Sequence, residues 1–83
     1  MWRGEVEKLL EDLRSELEAL RRLIKVIEDR YETDFAVSNF RRLGFSRREI
    51  ESIKTFASAA KSSLQKIAKI FADAIENLEM LEN

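Results

Sequence analysis

The sequence predicts an all-α protein: a long antiparallel helical hairpin with a short connecting helix, dimerising into a four-helix bundle. Three observations predict it. First, two runs of apolar residues recur at alternating steps of three and four. They are Val6, Leu10, Leu13, Leu17, Leu20, Ile24, Ile27 and Tyr31, then Ile50, Ile53, Ala57, Ala60, Leu64, Ile67, Phe71, Ala74, Leu78 and Leu81. That spacing lines apolar side chains along one helix face and demands a partner helix to cover them. Second, the 83 residues contain no proline and only two glycines, so little interrupts a helix. Third, the stripes are wider than a two-stranded seam needs. Leu9 and Leu23 flank the first; Phe56 and Ile70 flank the second on one side, Ala68 and Ile75 on the other. A wide stripe suits a bundle in which each helix touches two neighbours.

The first helix is expected over residues 5–32. Glu5, Glu7, Glu11 and Asp12 fill its opening turns, where the positive end of the helix dipole favours acids. Glu18 and Arg22 offer a favourable pair four apart, whereas Glu7 and Glu11 repel at the same spacing. The stripe fails after Tyr31, because continuing it would put Asp34, Ser38 and Arg41 on the core face. Thr33 or Asp34 can cap a short connecting helix over residues 34–43. Its apolar residues are Phe35, Val37, Phe40 and Leu43. An unbroken helix through residue 43 is the competing reading.

Leu43-Gly44-Phe45-Ser46 is the strongest punctuation in the chain. Gly44 can take the left-handed conformation that ends a helix. Ser46-Arg47-Arg48-Glu49 spells a capping box, and Phe45 with Ile50 could form the accompanying hydrophobic staple. The last helix is expected over residues 47–81, roughly 50 Å at the α-helical rise. With Tyr31 set near Ile50, Ile24 falls opposite Ala57 and Leu20 near Ala60. Large then faces small along the Ala57, Ser58, Ala59, Ala60, Ser62 and Ser63 stretch. Tyr31, Phe35, Phe40, Phe45 and Phe56 would form a small core plugging the turn end. Trp2 would cap the opposite end near Leu78 and Leu81.

One domain is the most that this length supports, and a core this small usually needs a staple or an oligomer. Cysteine and histidine are absent. That removes disulfides, thiolate chemistry, the commonest general base and the commonest transition-metal ligand. The start Met1-Trp2-Arg3-Gly4-Glu5 does not read as a signal peptide. No apolar run approaches the roughly 20 residues needed to cross a bilayer. A cytoplasmic protein without membrane association is the expectation. Charged residues make up 37% of the chain, a bias that leans towards a thermophilic source.

The net charge is −1, which gives no bulk attraction to nucleic acid. Its distribution says more. Residues 1–32 hold nine acids and seven bases, residues 33–48 one acid and four bases, and residues 49–83 six acids and four bases. Arg41, Arg42, Arg47 and Arg48 therefore form a basic island at the turn. The string Arg-Arg-Leu-Gly-Phe-Ser-Arg-Arg-Glu-Ile (residues 41–50) resembles the turn of a DNA-binding helix-turn-helix over about ten residues. It departs from that motif at Phe40, where a small residue is usual. Four arginines at a tip can grip phosphates; the alternative is a solvated turn whose arginines compensate the carboxyl ends of the helices.

Two carboxylate pairs, Asp29 with Glu32 and Asp73 with Glu76, each share a helical face. They are similar to the paired acidic motifs that hold magnesium in some all-α nucleotide pyrophosphohydrolases. An antiparallel hairpin keeps the two pairs apart, and no phosphate-binding constellation surrounds them. No catalytic residue, metal site or cofactor is expected.

The functional expectation is a non-enzymatic, self-associating protein that serves as a protein–protein interaction, adaptor or structural accessory module. Its homodimer interface would use Leu9, Leu23, Phe56, Ile70 and Ile75, and a further protein partner is left unspecified. The alternative is a nucleic-acid-binding dimer that uses the arginine-rich turn.

Overall fold

The computed structural model describes the backbone of residues 2–82 and the side chains of residues 3–81. All its regular structure is helical. Helix α1 spans Trp2–Ile27, a π-helical turn Glu28–Glu32, α2 Asp34–Arg42 and α3 Arg47–Glu82. The expected packing of Trp2 on Leu78 and Leu81 falls outside the described side chains. The Cα atoms fill a rod of 59 × 15 × 14 Å, about as long as α3 itself at 1.5 Å per residue.

The break after the first stripe is local and has a visible cause. Residues 28–32 widen into one π turn, and Thr33 is extended (φ −73°, ψ 156°). The Thr33 hydroxyl donates to the Asp29 carbonyl at 3.2 Å and accepts from the Ala36 amide at 3.1 Å. One side chain thus closes the π turn and caps α2, satisfying an amide that would otherwise be orphaned. This settles the choice between a short helix and an unbroken one in favour of the short helix.

The α2–α3 turn follows the sequence pattern closely. Gly44 has φ +95°, a conformation that L side chains adopt only with strain. The Gly44 amide donates to the Arg41 carbonyl and the Phe45 amide to the Phe40 carbonyl, both at 3.0 Å. This is the double hydrogen bond of a Schellman ending. The Phe40 and Phe45 rings meet edge to face with centroids 5.7 Å apart. This ring contact between the residues at either end of the ending is the hydrophobic contact that accompanies a Schellman motif. Beyond it, the Glu49 amide donates to Ser46 Oγ at 3.1 Å, and Glu49 Oε1 accepts from the Ser46 amide at 2.8 Å. The capping box is closed in both directions.

The central packing is between α1 and α3. Val6, Leu10, Leu17 and Ile75 form a buried cluster, joined by Leu13, Ala68, Phe71, Ala72 and Leu78. Leu10, 1% exposed, is its centre. Arg14 binds Glu79 at 2.8 Å, and Lys61 binds Glu32 at 2.8 Å. Early α1 residues therefore meet late α3 residues, and the end of the π turn meets the middle of α3.

This packing corrects the expected register. Ala57 and Ala60 share a groove with Ile27 and Tyr31, so they do not stand opposite Ile24 and Leu20. The expected seam of the last helix is also rotated. Ile67 and Leu81 are exposed, and so is Ala60. Ala68 and Ile75 turn inward instead. The apolar stripe of α3 is broad enough to hold two lines that share Ala57, Leu64, Phe71 and Leu78, and spacing alone does not choose between them. The observed rotation brings Lys61 to Glu32. The turn aromatics do not form a plug: Phe35 is 81% and Phe56 74% exposed.

Candidate functional site: an uncovered apolar face and a basic turn

Two surfaces were expected to carry function, and the structure treats them differently. Leu9, Leu23, Phe56 and Ile70 are all exposed. Ile75 is not: at 8% exposure it lies in the cluster with Val6, Leu10 and Leu17. Ile75 is therefore removed from the candidate interface, because the rotation of α3 spends its side chain on α1. Sequence reasoning missed Ile67, Val26 and Leu81, which are also exposed. The signal was present: Ile67 and Leu81 keep the heptad spacing of a second line on α3.

Between the helices, one groove is lined by Ile27, Tyr31, Ile53, Phe56, Ala57 and Ala60. Every side chain there is apolar apart from the Tyr31 hydroxyl. A second groove is lined by Glu32, Lys54, Thr55, Ser58, Ala59 and Ser62. There the Lys61 ammonium donates to Glu32, which raises the lysine pKa against the lowering effect of desolvation. The other Glu32 oxygen, Oε1, is buried without a hydrogen-bond partner.

The basic island is split. Arg41 and Arg47 line one cleft with Val37, Ile50, Glu51 and Lys54. Arg42 lies beside Phe35, Ser38 and Asn39 and donates to Asn39 at 2.6 Å. All four arginines are exposed. The turn thus brings Arg41, Arg47 and Lys54 together, and Lys54 had not been singled out from the sequence.

Three of the four paired carboxylates are engaged in ordinary ion pairs. Asp29 meets Lys25 at 3.0 Å, Glu32 meets Lys61, and Asp73 meets Lys69 at 3.3 Å. The Asp29 contact raises the pKa of Lys25. Glu18 pairs with Arg21 at 3.7 Å instead of the expected Arg22. Among the described residues no group of three or more acidic side chains converges as a metal site, and no helix is long and apolar enough to cross a membrane. Comparison of the chain with protein-family models, with curated proteins and with solved structures returned no match.

Proposed function

We propose that this protein is a non-enzymatic helical hairpin that pairs with a second copy into a four-helix bundle and works as a protein–protein interaction, adaptor or structural accessory module. The observation that carries this reading is the set of large apolar side chains left exposed beside the apolar groove between the helices. Leu23, Phe56, Ile67 and Ile70 lie exposed there, beside a groove whose lining is almost wholly apolar. Clustered exposed apolar surface of this kind marks an interaction site. A rod two helices thick has no interior of its own in which to hide these residues. Light scattering at micromolar concentration should give twice the chain mass of 9.7 kDa. A cooperatively folded monomer would sink the reading.

A second reading has its own support. Arg41, Arg47 and Lys54 converge on one cleft at the turn, and a cluster of cations beside a helix N-terminus suits phosphate groups. If the turn grips a nucleic acid through all four arginines, affinity should fall with salt at a log–log slope of about −3 to −4. Replacing Arg41, Arg42, Arg47 and Arg48 by alanine should then abolish binding. Salt-sensitive binding tighter than micromolar, lost in that variant, would move this reading ahead of the first.

A further inference from the structure

The uncovered side of the α1–α3 pair carries two lines of side chains, and their order specifies what covers them. On α3 the outward line is Phe56, Ala60, Ser63, Ile67, Ile70 and Ala74, at steps of four and three. Phe56, Ala60, Ser63, Ile67 and Ile70 are exposed and Ala74 is half-buried. No charged residue occurs in this line. Its sizes run large, small, small, large, large, small.

That order is complementary to its own reverse. Turned end for end about the position of Gln65, Phe56 meets the partner's Ala74, Ala60 meets the partner's Ile70, and Ser63 meets the partner's Ile67. Every layer then sets one large side chain against one small one, which is the condition for interdigitation at close helix approach. Other registers fail this test. A slide of one heptad pairs Phe56 with Ile67 and Ala60 with Ser63. The opposite slide pairs Ile67 with Ile70 and Ala60 with Asn77. A parallel pairing sets each residue against itself. Each of these leaves some layers overfilled and others empty. Gln65 also lies at the middle of Arg47–Glu82, so this register overlaps the two α3 helices along their whole length.

The α1 line gives an independent check. At steps of seven it reads Leu9, Glu16 and Leu23, and seven further on, in the π turn, stands Arg30. Ala57 and Ala60 share a groove with Ile27 and Tyr31, and Ala68 and Phe71 share the core cluster with Leu17. Gln65 therefore stands level with the α1 stretch between Leu17 and Ile27, where Leu23 is exposed. Turning α1 end for end about Leu23 brings Leu23 to its own copy. It also brings Glu16 to the partner's Arg30, and Arg30 to the partner's Glu16. The two charges that interrupt the apolar line thus fall opposite each other. Neither has an ion pair or hydrogen bond with another described residue of its own chain. They cannot serve each other within one chain, being about 20 Å apart along α1. Arg30 stands exposed in the π turn just past the end of α1, and a long guanidinium side chain can reach across a helix crossing with its charge in water.

We propose that a second copy of this chain covers this face through a two-fold axis at the level of Leu23 and Gln65, with α3 antiparallel on α3 and α1 antiparallel on α1. This rests on the self-association reading and specifies its face, direction and register. All four neighbouring helix pairs are then antiparallel. Lys66 is the charge brought nearest to its own copy, and it does so on the solvated edge, where salt screens the repulsion.

Charge reversal tests the register, with sedimentation equilibrium on the full chain as the readout. Glu16→Arg and Arg30→Glu should each weaken dimerisation about ten-fold, since each replaces two attractive contacts per dimer by two repulsive ones. The double variant Glu16→Arg with Arg30→Glu should return to within about two-fold of the unmodified protein. Ile70→Glu should abolish the dimer. If Ile70→Glu also loses its helical circular dichroism, the charge series decides alone. A double variant weaker than either single one, or a dimer surviving in a folded Ile70→Glu variant, would overturn this face and register while leaving self-association standing. A monomeric unmodified protein would overturn both.

Discussion

The two grooves flanking the α1–α3 pair share the same two backbones and differ in everything else. One is lined by Glu32, Lys54, Thr55, Ser58, Ala59 and Ser62, and its Glu32 pairs with Lys61. The other is lined by Ile27, Tyr31, Ile53, Phe56, Ala57 and Ala60. The first is lined mostly by polar side chains. The second leaves apolar surface against water, at a cost of roughly 25 cal/mol per Å². The contrast teaches that heptad spacing along α3 carries two separate instructions. The line through Ala57, Leu64, Ala68, Phe71, Ile75 and Leu78 builds the contact with α1. The neighbouring line through Phe56, Ala60, Ile67 and Ile70 faces outward on one side only.

Several substitutions would break or sharpen this contrast. The largest effect belongs to the buried line. Leu10→Ala should destabilise the fold by about 2–5 kcal/mol in urea unfolding, through lost burial and a residual cavity. A loss below about 1 kcal/mol would place the centre of the core elsewhere.

The two sides can be compared with one substitution. Ala60→Leu, on the apolar side, should weaken dimerisation about ten-fold or more. In the proposed dimer the added bulk would meet the partner's Ile70, and overpacking costs about 1–3 kcal/mol. Ser58→Leu, on the polar side, should leave the dimer constant unchanged. The reverse result would make the polar groove the covered one.

The turn supplies a smaller, local perturbation that should spare both grooves. Gly44→Val should cost about 1–2 kcal/mol in thermal unfolding, because its φ of +95° strains an L side chain although no atom crowds the site. Ser46→Ala should cost about 1 kcal/mol by opening the capping box.

The smallest effect is one of pH. The backbone and hydroxyl of Ser46 hold the Glu49 carboxyl below its ordinary pKa of 4.5. A carboxyl depressed on folding stabilises the fold above its unfolded pKa. That contribution is lost as the pH falls through the folded value. Stability should therefore drop slightly on acidification below about pH 4.5. In the Ser46→Ala variant this acid dependence should be shallower; an unchanged slope would assign it to other carboxylates.

Legibility in the sequence was highest where the determinants are adjacent. The Gly44 ending, the Ser46–Glu49 box and the Thr33 cap each depend on residues within about four positions of one another. The chemistry of those residues specifies the hydrogen bonds directly. Legibility failed where the choice depends on rotation about a helix axis. Ile75 was placed on the outside and Ala60 on the inside, and both are reversed. The stripe on α3 is wide enough that a turn of about 50° exchanges one line for the other without moving an apolar residue into polar surroundings. The basic island was legible as a count of arginines. Its division, with Arg41 and Arg47 joined by Lys54 in one cleft and Arg42 turned to Asn39, was not.

The sequence by itself determined that this chain is helical and where the turn between α2 and α3 falls. Those properties follow from local hydrogen bonding and from a periodicity that needs no neighbour to be read. Only the tertiary structure decided which of the two lines on α3 faces α1 and which stays outside. That choice rests on contacts between residues far apart in the chain, such as Arg14 with Glu79 and Glu32 with Lys61. A repeat of three and four is the same for every such pairing, so the periodicity that builds the helices does not name their partners.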